Sequence, residues 1–195
     1  MTGENVYRTM LLAIIVLLVP IGIYHRVRSF TGERLSRRDE GLLIMIALRL
    51  SGLAVHLGTI VYLINPAWME WAAGGLPDWL RWIGLPLGLA AVAWVFWMLH
   101  TLGPNLTDTV NVRAKATLVT SGPYRWVRHP MYIGIAALIL AVSLLTANLY
   151  IALAGTLVIL MIVLRTRTEE AKLVERFGAA YHRYASRTGR FLPRF

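Results

Sequence analysis

Five long apolar blocks alternate with polar segments rich in arginine along this chain. An α-helix needs about 20 predominantly apolar residues to cross a bilayer, with roughly 17 as the lower limit, so each block predicts a transmembrane helix. The fourth and fifth blocks follow each other with almost no loop, which predicts a tight helical hairpin. The predicted spans are residues 9–24, 41–64, 83–102, 131–147 and 148–164.

The first block contains Pro20, which removes a backbone N–H and is expected to kink the helix. Arginines follow this block and a small-residue cleavage site does not, so we expect a membrane span rather than a cleaved signal peptide. The pattern as a whole predicts an all-α, polytopic membrane protein with about five transmembrane helices.

Composition supports a membrane protein and removes several kinds of chemistry. Hydrophobic residues make up 57% of the 195 residues, and the mean hydropathy is +0.58, which excludes an ordinary soluble domain. Because the chain contains no cysteine, disulfides, thiolate metal ligands and a cysteine nucleophile are excluded. The length suits one membrane-integral domain, residues 1–195, whose first three spans occupy residues 1–102.

Positive charge is concentrated in three of the polar segments. Of the 20 lysines and arginines, residues 24–40 hold 5, residues 103–130 hold 4 and residues 165–195 hold 8. Under the positive-inside rule these segments face the cytoplasm, and five spans place all three on one side of the membrane. The amino terminus is then outside and the carboxyl terminus inside, as expected of a multi-pass protein of the cytoplasmic (inner) membrane. A net charge of +10 beside apolar blocks favours anionic headgroups or an acidic ligand over nucleic acid.

The chain after the fifth span, RTRTEEAKLVERFGAAYHRYASRTGRFLPRF, predicts amphipathic helices on the cytoplasmic side. Helix-forming residues continue to Phe177, and Gly178 can end that helix with a left-handed cap. A second short helix is expected to end near Gly189. If the turn at Gly178 stays nearly helical, the spacing of Phe177, Tyr181 and Tyr184 places the three rings on one face.

Arg165 and Glu169 are four residues apart at the end of the fifth span and therefore share a helix face. Such a pair on a surface contributes little to stability. Charges that border hydrocarbon, however, are costly unless they face a protein interior or a watery cavity. Glu170 doubles the carboxylate in a tail that is otherwise cationic, so the pair suits a positively charged ligand group.

The stretch SGPYRWVRHPMYIG, residues 121–134, carries unusual polar and aromatic chemistry for a connector. Pro130 fits the first turn of a helix, which places His129 at the N-cap and leaves free backbone N–H groups for an anion. The alternative is a simple cap with Arg128 extending towards the headgroups.

Arg49 and His56 lie on one face of the second span, where snorkelling, pairing with another span or a functional role each explain the arginine. No metal site is expected, because the histidines lack paired ligand spacing. These histidines are His25, His56, His100, His129 and His182.

Two stretches, ATLVTSGPYRWVRHPMYIG (116–134) and RTRTEEAKLVERFGAAYHRYASRTGRFLP (165–193), resemble the isoprenylcysteine carboxyl methyltransferase family. They also resemble the wider group of membrane-integral methyltransferases that includes phospholipid N-methyltransferases. The resemblance covers roughly the carboxyl-terminal half, and the amino-terminal half is similar only in being membrane-spanning. It implies that residues 103–195 form a cofactor-binding loop, a helical hairpin and a catalytic cytoplasmic tail.

The resemblance implies that the cofactor is S-adenosylmethionine. Arg165 matches the family's substrate-side arginine, so Arg165 and Glu169 are expected to carry catalysis, with Arg49 also expected to bind substrate. Glu170 is a further candidate for the donor's positive centres. Ala116 stands where eukaryotic isoprenylcysteine enzymes usually carry a histidine, and Thr109 where a longer amide is expected. The positions that match cofactor-binding residues are Ala116, Thr117, Leu118, Val119, Tyr124, His129, Pro130, Met131, Tyr132 and Glu169.

The function predicted from these features is methyl transfer to a lipophilic acceptor at the cytoplasmic membrane interface, with an isoprenylcysteine-like carboxylate as the first choice. A phospholipid amine or a thiol is the alternative acceptor. A small non-catalytic transporter or assembly protein, and a membrane reductase using a nicotinamide cofactor, are readings from other classes. The expected partners are the bilayer and a lipidated or lipophilic substrate, with neither nucleic acid nor metal.

Overall fold

The computed structural model describes residues 3–33, 39, 41–107 and 109–194, and its regular structure is helical. Short 3₁₀-helices cover Pro66–Ala72, Gly103–Asn105 and Gly122–Arg125. The all-α prediction is confirmed. The α-helices are α1 (Gly3–Arg28), α2 (Leu42–Ile64), α3 (Asp78–Trp82), α4 (Gly84–Leu102), α5 (Pro130–Thr146), α6 (Leu149–Phe177) and α7 (Ala179–Arg187).

Four stretches of the described chain are long and apolar enough to cross a membrane: α1, α2, residues 78–105 around α4, and α6. The fifth apolar helix, α5, has only 17 residues. It nevertheless runs the length of the bundle, because its start lies beside the carboxyl-terminal segment and its end accepts hydrogen bonds from Arg81 at the opposite end. The five predicted spans therefore correspond to five apolar helices.

The helices approach closely where glycine replaces a side chain. A methyl group on Gly84 of α4 would lie 2.7 Å from Leu145 of α5, and one on Gly58 of α2 would lie 2.9 Å from the ring of Tyr150 in α6. Small residues allow this approach between helices in lipid, where the hydrophobic effect does not drive helices together. The result is a bundle in which α5 packs between α4 and α6, α2 lies along α6, and α1 packs on α4 and α5.

The hairpin between α5 and α6 is as tight as the sequence predicted. Ala147 adopts a left-handed backbone conformation with φ 46°, and Asn148 caps α6 by accepting a hydrogen bond of 3.2 Å from the Ile151 amide. The Asn148 side chain also donates to the Met69 carbonyl at 3.1 Å, and the Gly74 amide donates to the Ala147 carbonyl at 2.6 Å. The connection before α3 thus fixes the hairpin turn.

The first predicted helix was too short. Its span was expected at 9–24, but α1 continues from Gly3 to Arg28 and through Pro20. The apolar run begins after Arg8, but α1 includes this arginine, whose guanidinium donates to the Leu63 carbonyl of α2 at 2.5 and 3.1 Å. The other end of the bundle agrees with the prediction, since α6 continues without a break to Phe177, where Gly178 with φ 52° ends it.

A buried arginine joins four helices at the end of the bundle that holds the hairpin turn. The Arg81 residue of α3 is 7% exposed, and its guanidinium forms a forked ion pair with Glu4 of α1 at 2.6 and 2.9 Å. The same group donates to the Tyr62 hydroxyl of α2 at 3.0 Å and to the Leu145 carbonyl of α5 at 2.8 Å. It also lies 3.6 Å from the centre of the Tyr7 ring. Every polar atom of the pair gains a partner, which is the condition for burying charge.

Replacing Arg81 with leucine is expected to destabilise the protein by about 3 kcal/mol, since Glu4, Tyr62 and the Leu145 carbonyl lose their shared partner. The measurement is the thermal unfolding midpoint of the purified protein in detergent. Arg28→Leu is the control. This exposed arginine donates a hydrogen bond to Tyr24 of its own helix, so its replacement should leave the midpoint almost unchanged. Equal midpoints for Arg81→Leu and the unmodified protein would contradict the network's role.

Candidate active site

The three arginine-rich segments meet at the end of the bundle opposite Arg81. The Arg113 guanidinium donates to the Ser29 carbonyl at 2.5 Å, and the Ala114 amide donates to the Glu33 carboxylate at 3.1 Å. Arg176 of α6 donates to the Ala114 carbonyl. The loop between α4 and α5 is therefore held between the segment after α1 and the end of α6. The three basic segments thus lie at one end of the bundle, and the side of the membrane that they face stays a prediction.

A cavity of about 370 Å³ lies at this end, between the ends of the long helices, α7 and the loop before α5. Its wall contains Arg165 and all the predicted cofactor residues except Glu170. Those residues are Ala116, Thr117, Leu118, Val119, Tyr124, His129, Pro130, Met131, Tyr132 and Glu169.

One face of α6 forms a continuous side of the cavity. The lining residues follow helical spacing of three or four, which confirms that Arg165 and Glu169 share a face. The charged pair divides this face into an apolar half towards the hairpin turn and an aromatic half towards α7. The stripe consists of Val158, Ile162, Arg165, Glu169, Leu173 and Phe177.

Glu169 is held by the start of α5. The Tyr132 hydroxyl donates a hydrogen bond to the Glu169 carboxylate. The His129 ring stacks on Tyr132 with centroids 5.3 Å apart and an interplanar angle of 3°, and its Nδ1 lies 4.0 Å from the Glu169 carboxylate. Pro130 occupies the first helical position and His129 the N-cap, as the sequence predicted, without a side-chain capping bond.

Glu170 faces a different direction from Glu169. Its carboxylate accepts hydrogen bonds from Arg128 at 2.9 Å and from Arg190, and it lies 3.3 Å from His129 Nε2. It is not among the residues that line the cavity in the described chain. The geometry therefore gives no support to a direct cofactor contact by Glu170, which stays a prediction.

Arg49 also lies outside the cavity wall, exposed on α2. The preceding residue, Leu48, does line the cavity. Consecutive helix residues point about 100° apart, so one of the two can face the cavity while the other faces outward. A substrate contact by Arg49 stays a prediction that this arrangement does not favour.

Aromatic rings form the wall nearest α7. The backbone at Gly178, with φ 52° and ψ −126°, is not helical, so the three predicted rings do not lie on one continuous helix face. They nevertheless line the same cavity, Phe177 from α6 and Tyr181 and Tyr184 from α7. The Tyr184 hydroxyl donates to the Tyr124 carbonyl at 2.7 Å and so joins α7 to the loop before α5. Burial raises the pKa of Tyr184 to about 12 and also raises the pKa values of Tyr124 and Tyr181. All three phenols are therefore protonated at neutral pH.

The half of the cavity towards the hairpin turn is apolar. Leu48 of α2, Met131 and Ile135 of α5, and Val158 and Ile162 of α6 form its walls. Below them, Val55 and Ile139 pack against this cluster and fill the space. We call the five lining residues the apolar slot.

Sequence reasoning missed the apolar slot and most of the polar loop. The helical stripe on α6 could have revealed Val158 and Ile162, because both continue the face of Arg165 and Glu169. The loop has no helical period from which its cavity-facing residues could be predicted, apart from the positions identified by resemblance. Its polar lining residues are Asn105, Thr107, Thr109, Asn111 and Arg113.

The site thus combines a carboxylate, an arginine and protonated phenols at one end with hydrocarbon walls at the other. Such a site suits an amphiphilic ligand that carries a cationic or carboxylate group. Within the part of the chain that the structure describes, no group of three or more His, Asp or Glu side chains could hold a metal ion.

Comparison with known proteins relates this site to a family. Residues 82–175 match the model of the isoprenylcysteine carboxyl methyltransferase family. A Saccharomyces cerevisiae protein named protein-S-isoprenylcysteine O-methyltransferase is 33% identical over 103 residues, covering 49% of this chain and 41% of the yeast protein. A Schizosaccharomyces pombe protein of the same name is 38% identical over 77 residues, covering 39% of this chain and 33% of that protein. The matches therefore span less than half of these relatives.

The fold is also similar to that of a solved structure. The protein described as the eukaryotic intramembrane Ras methyltransferase, isoprenylcysteine carboxyl methyltransferase, superposes with a TM-score of 0.53 at 25% identity. The superposition covers 78% of this chain and 53% of that chain. The matched residues 82–175 include α4, the loop before α5, the α5–α6 hairpin and both Arg165 and Glu169. These matches relate residues 82–175, and with them the loop and hairpin that line the cavity, to the isoprenylcysteine carboxyl methyltransferase family.

Proposed function

We propose that this protein uses S-adenosylmethionine to methylate the carboxylate of an isoprenylcysteine-like substrate at the cytoplasmic face of the inner membrane. One observation carries the proposal: a single cavity joins a charged and aromatic part to the apolar slot. We call the charged and aromatic part, around Tyr124, Arg165 and Glu169, the chamber. The chamber suits a water-borne donor, and the slot suits a tail that arrives from the bilayer. The similarity of residues 82–175 to this methyltransferase family supports the proposed reaction class.

The residues around the chamber fit the donor by size and chemistry. S-Adenosylmethionine carries a cationic sulfonium, a cationic ammonium, one carboxylate and an aromatic base. The Glu169 carboxylate can balance positive charge, and Tyr124 and Phe177 offer aromatic faces. A cavity of about 370 Å³ lies within the usual range for small-molecule sites, roughly 300–1,000 Å³. The donor would be held by residues 116–119, Tyr124, residues 129–132 and Glu169.

Arg165 is the group that would hold the acceptor. When bound, S-adenosylmethionine supplies a methyl group activated by its sulfonium. Arg165 lies one helical turn from Glu169 and next to the apolar slot, so a planar guanidinium can receive the acceptor carboxylate by two parallel hydrogen bonds. A carboxylate is already ionised at neutral pH, so the site needs to orient and desolvate it and does not need to remove a proton.

An amine or a thiol acceptor would need a general base, for which Glu170 and His129 are the candidates, whereas a carboxylate acceptor would not. Glu170 is bound to Arg128 and Arg190, which stabilise its ionised form and oppose proton uptake. The phenols of Tyr124, Tyr181 and Tyr184 have raised pKa values and stay protonated.

The apolar slot sets the space for the acceptor's tail. Val158 precedes Arg165 by seven residues on α6, which corresponds to about 10 Å along the helix. Leu48 of α2 and Ile135 of α5 line the slot from two other helices. We infer that the tail enters from the bilayer between α2 and α5 and lies along this face of α6.

The central test is transfer of a radiolabelled methyl group from S-adenosylmethionine to synthetic prenylcysteines and to lipid extracts. We expect labelled prenylcysteine whose label is released by mild base, because methyl esters hydrolyse and methylamines and thioethers do not. A base-stable product would identify an amine or thiol acceptor and contradict the carboxylate assignment. Binding of a nicotinamide cofactor without binding of S-adenosylhomocysteine would contradict methyl transfer itself.

Glu169→Gln and Arg165→Gln are expected to separate donor from acceptor binding. Glu169→Gln loses a charge-assisted hydrogen bond worth about 1.5–3 kcal/mol. Calorimetry should therefore show that this variant binds S-adenosylhomocysteine at least tenfold more weakly. Arg165→Gln should mainly raise the KM for the acceptor and lower kcat. Glu175→Gln and Arg167→Gln on the same helix are the controls, because both side chains are exposed and outside the cavity wall. An equal loss of donor affinity in both site variants would contradict this division.

Val158→Phe is expected to fill the apolar slot and to raise the KM for a farnesylated acceptor at least tenfold. This factor is roughly what is lost when one or two methylene groups of the tail no longer fit the slot. Donor affinity should stay unchanged, since Val158 lies seven residues from Arg165 on the side away from Glu169. Val163→Phe, exposed on the same helix, is the matched control. If the two variants had the same KM, the tail would have to bind elsewhere.

A further inference from the structure

The carboxyl-terminal residues 188–191 lie beside the residues that precede α5. The Arg128 amide donates to the Gly189 carbonyl at 2.9 Å, and the His129 amide donates to the Arg190 carbonyl at 3.1 Å. In return the Gly189 amide donates to the Trp126 carbonyl at 3.3 Å. These bonds make a short parallel bridge between two irregular stretches, so residues 188–191 are fixed to the residues that precede α5. We call residues 188–191 the clasp.

Glu170 connects the clasp to α6. Its carboxylate accepts from the Arg190 guanidinium through both oxygens and from Arg128 at 2.9 Å, and its side chain is only 14% exposed. The hydrogen bond with Glu170 raises the pKa of Arg190 further above neutrality. His129 Nε2 lies 3.3 Å from the same carboxylate. The Glu170 carboxylate of α6 therefore joins Arg190 of the clasp, Arg128 and the N-cap residue His129.

The clasp also packs on the aromatic pair at the cavity. The Phe191 ring lies 5.8 Å from the His129 ring and 6.4 Å from the Tyr132 ring, centre to centre. Gly189 permits the turn that brings Phe191 there, because a methyl group on Gly189 would approach the Leu192 carbonyl carbon to 2.8 Å. None of residues 188–191 lines the cavity in the described chain.

We propose that the clasp and Glu170 are positioning elements for the donor site. Glu170 does not touch the donor; it holds Arg190, and through the clasp it fixes His129 and Tyr132 behind Glu169. The identity of the ligand rests on the proposed function, whereas the connection itself rests on the contacts of residues 126–129, 170 and 188–191. The two adjacent carboxylates then have different roles: Glu169 faces the ligand, and Glu170 faces the clasp.

A double-mutant cycle distinguishes positioning from direct contact. Glu170→Gln and Arg190→Gln are each expected to weaken S-adenosylhomocysteine binding about tenfold, a usual size for coupling between a remote group and a site. Because both variants break the same connection, the double variant should be no weaker than either single variant. If Glu170 bound the donor directly, Glu170→Gln would weaken binding by the same factor with Arg190 intact or replaced, and that result would overturn the proposal.

The matched control is Arg187→Gln, which removes the same charge from an exposed position on α7, one residue before the clasp. It should leave donor affinity unchanged. Arg190→Lys keeps the charge at the clasp and should restore most of the affinity lost in Arg190→Gln. A loss in Arg187→Gln equal to that in Arg190→Gln would point to the net charge of the tail and overturn the role of the clasp.

Hydrogen exchange without any ligand tests the connection independently of methyl transfer. The amides of Arg128 and His129 donate to the clasp, so a peptide covering residues 126–129 should exchange faster in Glu170→Gln and in Gly189→Ala than in the unmodified protein. Unchanged exchange in both variants would overturn the proposal. If the unmodified protein failed to bind S-adenosylhomocysteine, the proposed function would fall, and exchange would still decide whether Glu170 fastens the clasp.

Discussion

The direct turn between α5 and α6 determines where the polar residues of the cavity lie. With only Ala147 and Asn148 between the two helices, α6 must run back along α5. The start of α5 therefore meets the part of α6 that carries the two carboxylates, and Tyr132 and His129 reach Glu169 and Glu170 across some 40 residues of sequence. In lipid a helix satisfies its own backbone groups, so the hairpin can cross the membrane and return without exposing a polar loop.

Charged side chains have different surroundings at the two ends of the bundle. At the end with the turn, Glu4, Tyr62 and the Leu145 carbonyl all bind the Arg81 guanidinium, and its charge joins helices. At the other end, Arg165 and Glu169 face a cavity. The difference follows from the neighbours: an arginine surrounded by partners adds rigidity, whereas charged groups beside an open space can bind a ligand.

Features that depend on local periodicity or local backbone chemistry could be predicted from the sequence. They are the apolar blocks, the N-cap at His129, the end of α6 at Gly178 and the shared face of Arg165 and Glu169. The outcomes that sequence reasoning missed depend on distant partners. Which of Glu169 and Glu170 faces the cavity is decided by Arg128 and Arg190, 42 and 20 residues away in sequence. The same limit explains the outward position of Arg49 and the enclosure of Arg81, since neither can be deduced from the residues beside it.

The shortness of α5 has a consequence for the surrounding bilayer. Its 17 residues extend about 25 Å, whereas the hydrocarbon core of a bilayer is about 30 Å thick. Lipids beside a short apolar helix adapt by local thinning, and Leu140 of α5 is exposed to them. Local thinning beside α5 would bring the lipid headgroups closer to the depth of the apolar slot. Under the proposed function, the carboxylate of an amphiphilic acceptor in that leaflet would then lie at a depth close to that of Arg165. Little free energy would be needed to move it from the headgroup layer to the site.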